Sequence, residues 1–187
     1  MVKNGPRQQA LMQDILDRAA HIKLVIFDVD GVLTDGGIHI AGDGSEHKIF
    51  NSRDGHGMKM LQNTGVEIAI ISGRVSQAVL HRMASLGIEH VYQGCQEKLP
   101  VFQGLIKKLN LDPNQVAYAG DDVVDLPIMR EVGLAIAVQD AHEWVIKHAH
   151  WQTSHGGGRG AARDVCELIM EAQGTIGDQM NKYLGKA

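Results

Sequence analysis

Asp28-Val29-Asp30-Gly31, Ser72-Gly73-Arg74 and Gly120-Asp121-Asp122 each stand directly after an apolar run. If those runs are strands of one parallel sheet, the three clusters meet at its carboxyl edge, where open α/β folds bind ligands. Asp28 and Asp30, two apart in extended chain, point the same way, and Asp121 beside them concentrates negative charge that is costly without a cation. Carboxylate and carbonyl oxygens with no soft ligand select Mg²⁺, which keeps several waters and recruits phosphate oxygens. The Ser72 hydroxyl and the Ser72-Gly73 amides supply hydrogen bonds to a phosphate. Lys98, just ahead of the helix-starting Pro100, adds a point charge to the same pocket. These residue types together imply phosphoryl chemistry with one nucleophile, one acid, one metal and one phosphate cradle.

The elements that must position them are legible as period and breakers. Strands are predicted at residues 22–27, 67–71, 89–92, 115–119 and 134–138, all nearly continuous in apolar character and so buried on both faces. Helices are predicted at 8–20, 58–63, 76–86, 100–109, 124–131, around 142–147, and at 161–172. Alternation of the two predicts an α/β chain: a three-layer, Rossmann-like parallel sheet. Between the first strand and its helix, Ile38, Ile40 and Ile49 flank the turn-forming Ala41-Gly42-Asp43-Gly44-Ser45, which predicts a β-hairpin at about 36–51 in place of a cap domain. The run Gly156-Gly157-Gly158-Arg159-Gly160 reads as a mobile loop, and residues 174–187 as a flexible tail.

With 187 residues, one domain spanning 1–187 is expected. The 18 Lys and Arg against 22 Asp and Glu give a net charge of -4, which disfavours nucleic acid as a partner. No apolar run approaches the roughly 20 residues that cross a bilayer. Residues 1–20 lack the apolar core of a secretory signal, so a cytoplasmic location is expected. Cys95 and Cys166 do not make a disulfide framework and are read as buried thiols.

Asp28-Val29-Asp30-Gly31-Val32-Leu33-Thr34, Ser72-Gly73-Arg74, Lys98 and Gly120-Asp121-Asp122 resemble the four ordered motifs of the haloacid dehalogenase superfamily of phosphatases. Serine in place of threonine in the second motif keeps the hydroxyl. Within the superfamily, Phe50-Asn51-Ser52-Arg53-Asp54-Gly55, Tyr92-Gln93-Gly94, Val138-Gln139-Asp140-Ala141 and the glycine run through Arg163 resemble the family of 3-deoxy-D-manno-octulosonate 8-phosphate phosphatases. That resemblance implies a Mg²⁺-dependent homotetramer hydrolysing an acidic sugar phosphate for lipopolysaccharide synthesis. It implies Asp28 as nucleophile forming an aspartyl-phosphate, and Asp30 as the acid that protonates the leaving oxygen and then the base that deprotonates water. It assigns the metal to Asp28, the Asp30 carbonyl and Asp121, with Asp122 and Asp125 supporting them from behind. It assigns substrate contacts to Asp30, Asn51, Ser52, Arg53, Asp54, Gly55, Lys59, Arg74, Arg82 and Lys98, some of them reaching the site of a neighbouring subunit.

Each motif also has a plainer reading. Asp-x-Asp alone suits glycosyltransferases or a turn, and its place at a strand end decides against both. A single Lys98 or Arg82 is usually a solvated charge. Met58, Met60 and Met83 read as core filler, and His148-x-His150 as part of a late strand. His56 suits substrate contact or local structure equally, as Arg159 and Arg163 suit the site or a helix cap. Two other functions remain open from sequence: a sialic-acid-type 9-phosphate phosphatase on the same fold, and a phospho-receiver module. Receivers place their acidic pair first, whereas here Asp121-Asp122 comes last.

Overall fold

The computed structural model describes residues 5–185. A six-stranded, wholly parallel sheet runs through the molecule, built from β1 (Leu24–Phe27), β4 (Glu67–Ile71), β5 (His90–Tyr92), β6 (Val116–Gly120), β7 (Leu134–Ala137) and β8 (Trp151–Gln152) in the order β5-β4-β1-β6-β7-β8. The α/β class and the five predicted strands are therefore present. The sixth, β8, pairs Trp151 with Ile136 and Gln152 with Ala137. At two residues it is too short to give a period-2 signal. His148 does not lie on it: it ends α6 (Glu143–His148), its Nδ1 2.6 Å from the Trp144 carbonyl oxygen.

Every residue of β1, β6 and β7 is buried, because helices cover both faces and leave no side exposed to water. Winding reverses at β1, whose neighbours are β4 on one side and β6 on the other. Right-handed crossovers then put α2 (Ser52–Gln62), between β1 and β4, on the face opposite α5 (Leu126–Met129), between β6 and β7. The reversal also opens a crevice at the carboxyl end of β1, directly beneath Asp28. α1 (Pro6–Ala20) and α2 pack against α7 (Ala161–Ala172), while α4 (Lys98–Leu109), α5 and α6 pack together, and α3 (Gln77–Ser85) joins β4 to β5.

Helix α2 begins six residues before the predicted boundary at 58. Asn51 caps it, its Oδ1 accepting from the Arg53 amide at 2.8 Å. Gly55 and Gly57 hide the helical pattern in the sequence. Met58, Met60 and Met83 are core residues, as expected. The hairpin forms from β2 (His39–Ile40) and β3 (Glu46–His47), paired antiparallel around the predicted turn.

Two stretches expected to be mobile are built into defined structure. The glycine run at 156–160 is packed: Gly156 and Gly157 are buried, the Gly157 amide donates to Asp140 at 2.9 Å, and the Gly158 amide to the Val32 carbonyl at 2.9 Å. Its glycines are there for close approach, because a Cβ on Gly157 would overlap the Gly31 carbonyl oxygen and lie 2.8 Å from that of Thr34. The tail forms α8 (Ile176–Asn181) and turns through Tyr183, whose ring meets His56 edge-on at 5.4 Å; the last two residues, 186–187, lie outside the described part.

Gly157→Ala should lower Tm by roughly 3–10 °C, the overpacking cost of one methyl group against fixed backbone in a chain of this size. Calorimetry checks it, and an unchanged Tm would mean that the glycine run yields freely.

Candidate active site

Asp28 extends β1 by one residue, its amide donating to the Ala119 carbonyl at 3.1 Å, so its carboxylate is aimed off the end of the most central pair of strands. Asp121 follows β6 directly, and Ser72 follows β4 with its amide bound to the Tyr92 carbonyl at 2.9 Å. Lys98 opens α4 and is buried, its Nζ 2.9 Å from Asp28 and 2.7 Å from Asp125. Sheet and helix thus bring Asp28, Ser72, Lys98 and Asp121, distant in sequence, into one place.

Asp125 is fully buried, and both of its oxygens are committed. Oδ1 accepts from Lys98 and from the Tyr118 hydroxyl at 2.6 Å; Oδ2 accepts from the Asp121 and Asp122 amides at 3.0 and 3.3 Å. The Asp122 carboxylate caps the same turn through the Val123 amide at 2.7 Å. Asp125 thereby holds the Asp121 backbone and the Lys98 ammonium in position, whereas the exposed Asp122 lines the cleft and serves only its own turn. Tyr118 escaped sequence reasoning. Its only signal is a hydroxyl in an otherwise apolar strand, Val116-Ala117-Tyr118-Ala119.

Carboxylate oxygens of Asp28, Asp121 and Asp125 lie within 4.8 Å of one another. Burial, then the charge of Asp125, raises Asp28 to about 6. Burial followed by Asp125, Asp28 and Asp122 raises Asp121 to about 8. Burial alone would lower Lys98, but Asp125 and Asp28 outweigh it and raise it, so the ammonium stays charged. One ammonium does not offset three carboxylates. With Asp125 spent on four donors, Asp28 and Asp121 remain as hard oxygen ligands, and this donor set fits a Mg²⁺ ion.

These residues line an open cleft of about 320 Å³ together with Asp30, Ser72, Gly73 and Arg74. The Ser72 hydroxyl accepts from the Arg74 amide at 3.4 Å. Asp30 is held by two cations, the hairpin's Lys48 and Arg74, whose Nε is 3.7 Å away. Lys48 and its second partner Glu46, at 3.0 Å, also escaped sequence reasoning, which read the hairpin only through its isoleucines. Cys166 is buried as expected, but Cys95 is only half-buried, on the wall of the cleft.

The other expected substrate contacts gather elsewhere in this chain. Asn51, Asp54, Gly55 and Arg82 surround a separate, narrow pocket with Phe50 and Met83. There the Arg82 guanidinium lies so close over Gly55 that a Cβ would overlap it. Asp54 accepts from the Arg163 amide at 2.8 Å and leaves Oδ2 buried without a partner; burial raises its pKa. Ser52, Arg53 and Lys59 are exposed on α2. Arg163 serves its own helix through Glu167 at 2.6 Å, while the exposed Arg159 lies 3.6 Å from Asp35.

Known proteins resemble this chain over most of its length. Residues 90–163 match the haloacid dehalogenase-like hydrolase family. The 3-deoxy-D-manno-octulosonate 8-phosphate phosphatase of Escherichia coli K12 is 48% identical over 163 residues, 87% of each chain. The crystal structure of the Yersinia pestis enzyme of that name superposes with a TM-score of 0.87 at 46% identity, covering 88% of this chain and 89% of its own. That of Moraxella catarrhalis, in complex with magnesium, phosphate and KDO, gives 0.90 at 41% identity, over 92% and 99%.

A raised carboxylate pKa means that the folded chain holds protons the unfolded chain releases, so stability of the metal-free protein should fall as pH climbs from 3.8 towards about 8. Mg²⁺ should displace those protons, binding more tightly with rising pH between about 6 and 8. Titration calorimetry in buffers of different ionisation enthalpy reads the proton release; pH-independent binding without it would contradict the assignment.

Proposed function

Since the chain belongs to the 3-deoxy-D-manno-octulosonate 8-phosphate phosphatase family of haloacid dehalogenase-like hydrolases, we propose that it hydrolyses the 8-phosphate of that sugar acid, in lipopolysaccharide precursor synthesis. The observation that carries this reading is Asp28 at the switch point of the sheet, paired with a buried Lys98 and facing a cleft of phosphate donors. Family membership overrides both the nine-carbon and the receiver readings.

In the reaction, Asp28 attacks phosphorus and becomes an aspartyl-phosphate, while Asp30 gives its proton to the leaving sugar oxygen. Asp30 then takes a proton from the water that releases phosphate. Ser72, the Gly73 backbone and Lys98 bind the phosphate oxygens, and Lys98 keeps Asp28 oriented through its anchor on Asp125. Asp28, Asp121 and the Asp30 carbonyl would hold Mg²⁺; bound there, it neutralises phosphate oxygens as the phosphoryl group moves. Arg74, at the cleft's rim and 46% exposed, is free to meet the sugar carboxylate.

The site is completed by a neighbour in a homotetramer. Ile38, Ile40 and Ile49 are 54%, 66% and 68% exposed on a hairpin whose strands have unpaired outer edges. Packing hairpins together buries these faces. It also brings Asn51, Ser52, Arg53, Asp54, Gly55, Lys59 and Arg82, which do not line this chain's own cleft, within range of a neighbour's. Among the described residues no helix is long and apolar enough to cross a membrane, which is compatible with work in the cytoplasm.

A phosphate-release screen tests the substrate: turnover of the octulosonate ester should exceed that of nine-carbon acid and neutral hexose phosphates and vanish with a chelator. The reverse ranking would leave only a general phosphatase. Asp28→Asn should abolish turnover, and Asp30→Asn should lower it by about 10² to 10⁴; with an ester whose leaving group is good, a phosphate adduct should then accumulate on Asp28, seen by mass spectrometry. An adduct on another residue would refute the division of roles. Charged replacements at Ile38 and Ile40 should yield smaller species that lose the sugar phosphate more than a small artificial ester; light scattering with kinetics reads both, and a fully active monomer would show that no neighbour is needed.

A further inference from the structure

The hairpin touches the catalytic loop through one cluster of charge. Glu46 on β3 and Lys48 just beyond its end are two apart and turn inward, while His47 between them is exposed. The Lys48 side chain is 1% exposed, although it rises from a hairpin whose isoleucines stand in solvent. A lysine is rarely so buried unless it is paired, and this one has two partners: the Asp30 carboxylate at Oδ1 and Glu46 at 3.0 Å. Arg74 closes the ring, 3.7 Å from Asp30 Oδ2 and 3.2 Å from Glu46.

The two cations differ in freedom. Arg74 is 46% exposed and lines the cleft, so it can leave Asp30 when a ligand anion arrives, and its pairing contributes little. Lys48 does not line the cleft and has no solvent to turn to. Breaking its pair with Asp30 would leave the buried ammonium with Glu46 as its one remaining carboxylate, which is unfavourable. Lys48 is therefore the fixed partner of Asp30, and Arg74 the exchangeable one.

We infer that Lys48 is a positioning residue for the reaction: carried in on the hairpin, its buried ammonium holds the Asp30 carboxylate in the direction needed to deprotonate the attacking water. This rests on the base role assigned to Asp30 above. In that step the water oxygen forms a bond to phosphorus as its proton passes to Asp30. The bond from phosphorus to the Asp28 oxygen breaks, and its electron pair returns to Asp28 as carboxylate. A base must stand within hydrogen-bond reach of the proton it takes, and misplacement by about 1 Å can cost a hundredfold. The hairpin thereby acts on the chemistry from within its own chain, independently of any neighbour.

p-Nitrophenyl phosphate separates the two half-reactions, because its leaving group departs without a proton from Asp30. With it, Lys48→Met, which keeps length and burial, should lower kcat about 10- to 100-fold with KM falling in step, so that kcat/KM is little changed, and raise the acid-quenched fraction of chain carrying phosphate on Asp28. Lys48→Arg, which restores the cation, should recover most of kcat and return the adduct towards its wild-type level. Wild-type turnover and adduct in Lys48→Met would overturn the inference. So would a fall in kcat with the adduct fraction unchanged, since loss of folded molecules lowers turnover without shifting the balance of steps. Should Lys48→Met fail to fold, Lys48→Gln is read by the same two measurements. An adduct that accumulates in Asp30→Asn but not in the Lys48 variants overturns this inference alone, whereas an Asp28 adduct absent from wild type and Asp30→Asn alike overturns the aspartyl-phosphate reading itself.

Discussion

Much of the site depends on the buried ammonium of Lys98, bound between Asp28 and Asp125. Carboxylates gathered at the end of a low-dielectric sheet repel one another and, left alone, would take up protons or push the loops apart. One cation from the start of α4 ties the end of β1 to the turn after β6. Tyr118 and two backbone amides occupy the remaining acceptor positions of Asp125. The arrangement is polar, fully connected and buried, so its geometry is held closely. Its negative charge is only partly offset, and that unbalanced remainder makes the cleft a cation site as well as a phosphate site.

A second constraint keeps the catalytic loop itself in place. The turn after Asp28 is backed by the 156–158 glycines, whose lack of side chains lets two backbones meet and exchange a hydrogen bond. On its open side the same loop is met by the hairpin, through Lys48 and Asp30. The strand thus fixes where Asp28 points, the glycine run fixes how the chain leaves it, and the hairpin fixes what Asp30 faces. The glycine run and the hairpin contribute no nucleophile, yet each removes a freedom that phosphoryl transfer would otherwise lose to solvent.

The outer residues follow a different logic. Asp54, Gly55 and Arg82 are partly or fully buried between α2 and α3: Asp54 accepts from the Arg163 amide in the first turn of α7, and the Arg82 guanidinium lies over Gly55. Ser52, Arg53 and Lys59 face outward. On the proposed reading, the cleft of one chain serves phosphate and metal while the rest of an acidic sugar meets a rim from another copy, a role for which the exposed isoleucines of the hairpin supply a physical reason.

How much of this was legible beforehand follows the range of the interactions. Strands β1, β4 and β6 were readable because burial on both faces demands unbroken apolar runs, and the placement of Asp28, Ser72 and Asp121 follows from lying just beyond them. The hairpin turn was readable because glycine and aspartate chemistry is local. The early start of α2 was hidden by glycines that serve Arg82 and Arg163 rather than the helix. The glycine run looked mobile because its partners, Val32 and Asp140, are brought to it only by folding. Tyr118 offered only a hydroxyl in an apolar strand and Lys48 only a charge on a hairpin, and each acquires meaning from a carboxylate that folding brings to it. The sequence by itself determined the sheet, the order of the motifs and the chemistry at the strand ends, because those rest on periodicity and residue type. Only the tertiary structure decided which charges are buried together and which side chains hold the catalytic ones still, because burial and pairing belong to groups that the chain brings together from opposite ends of its length.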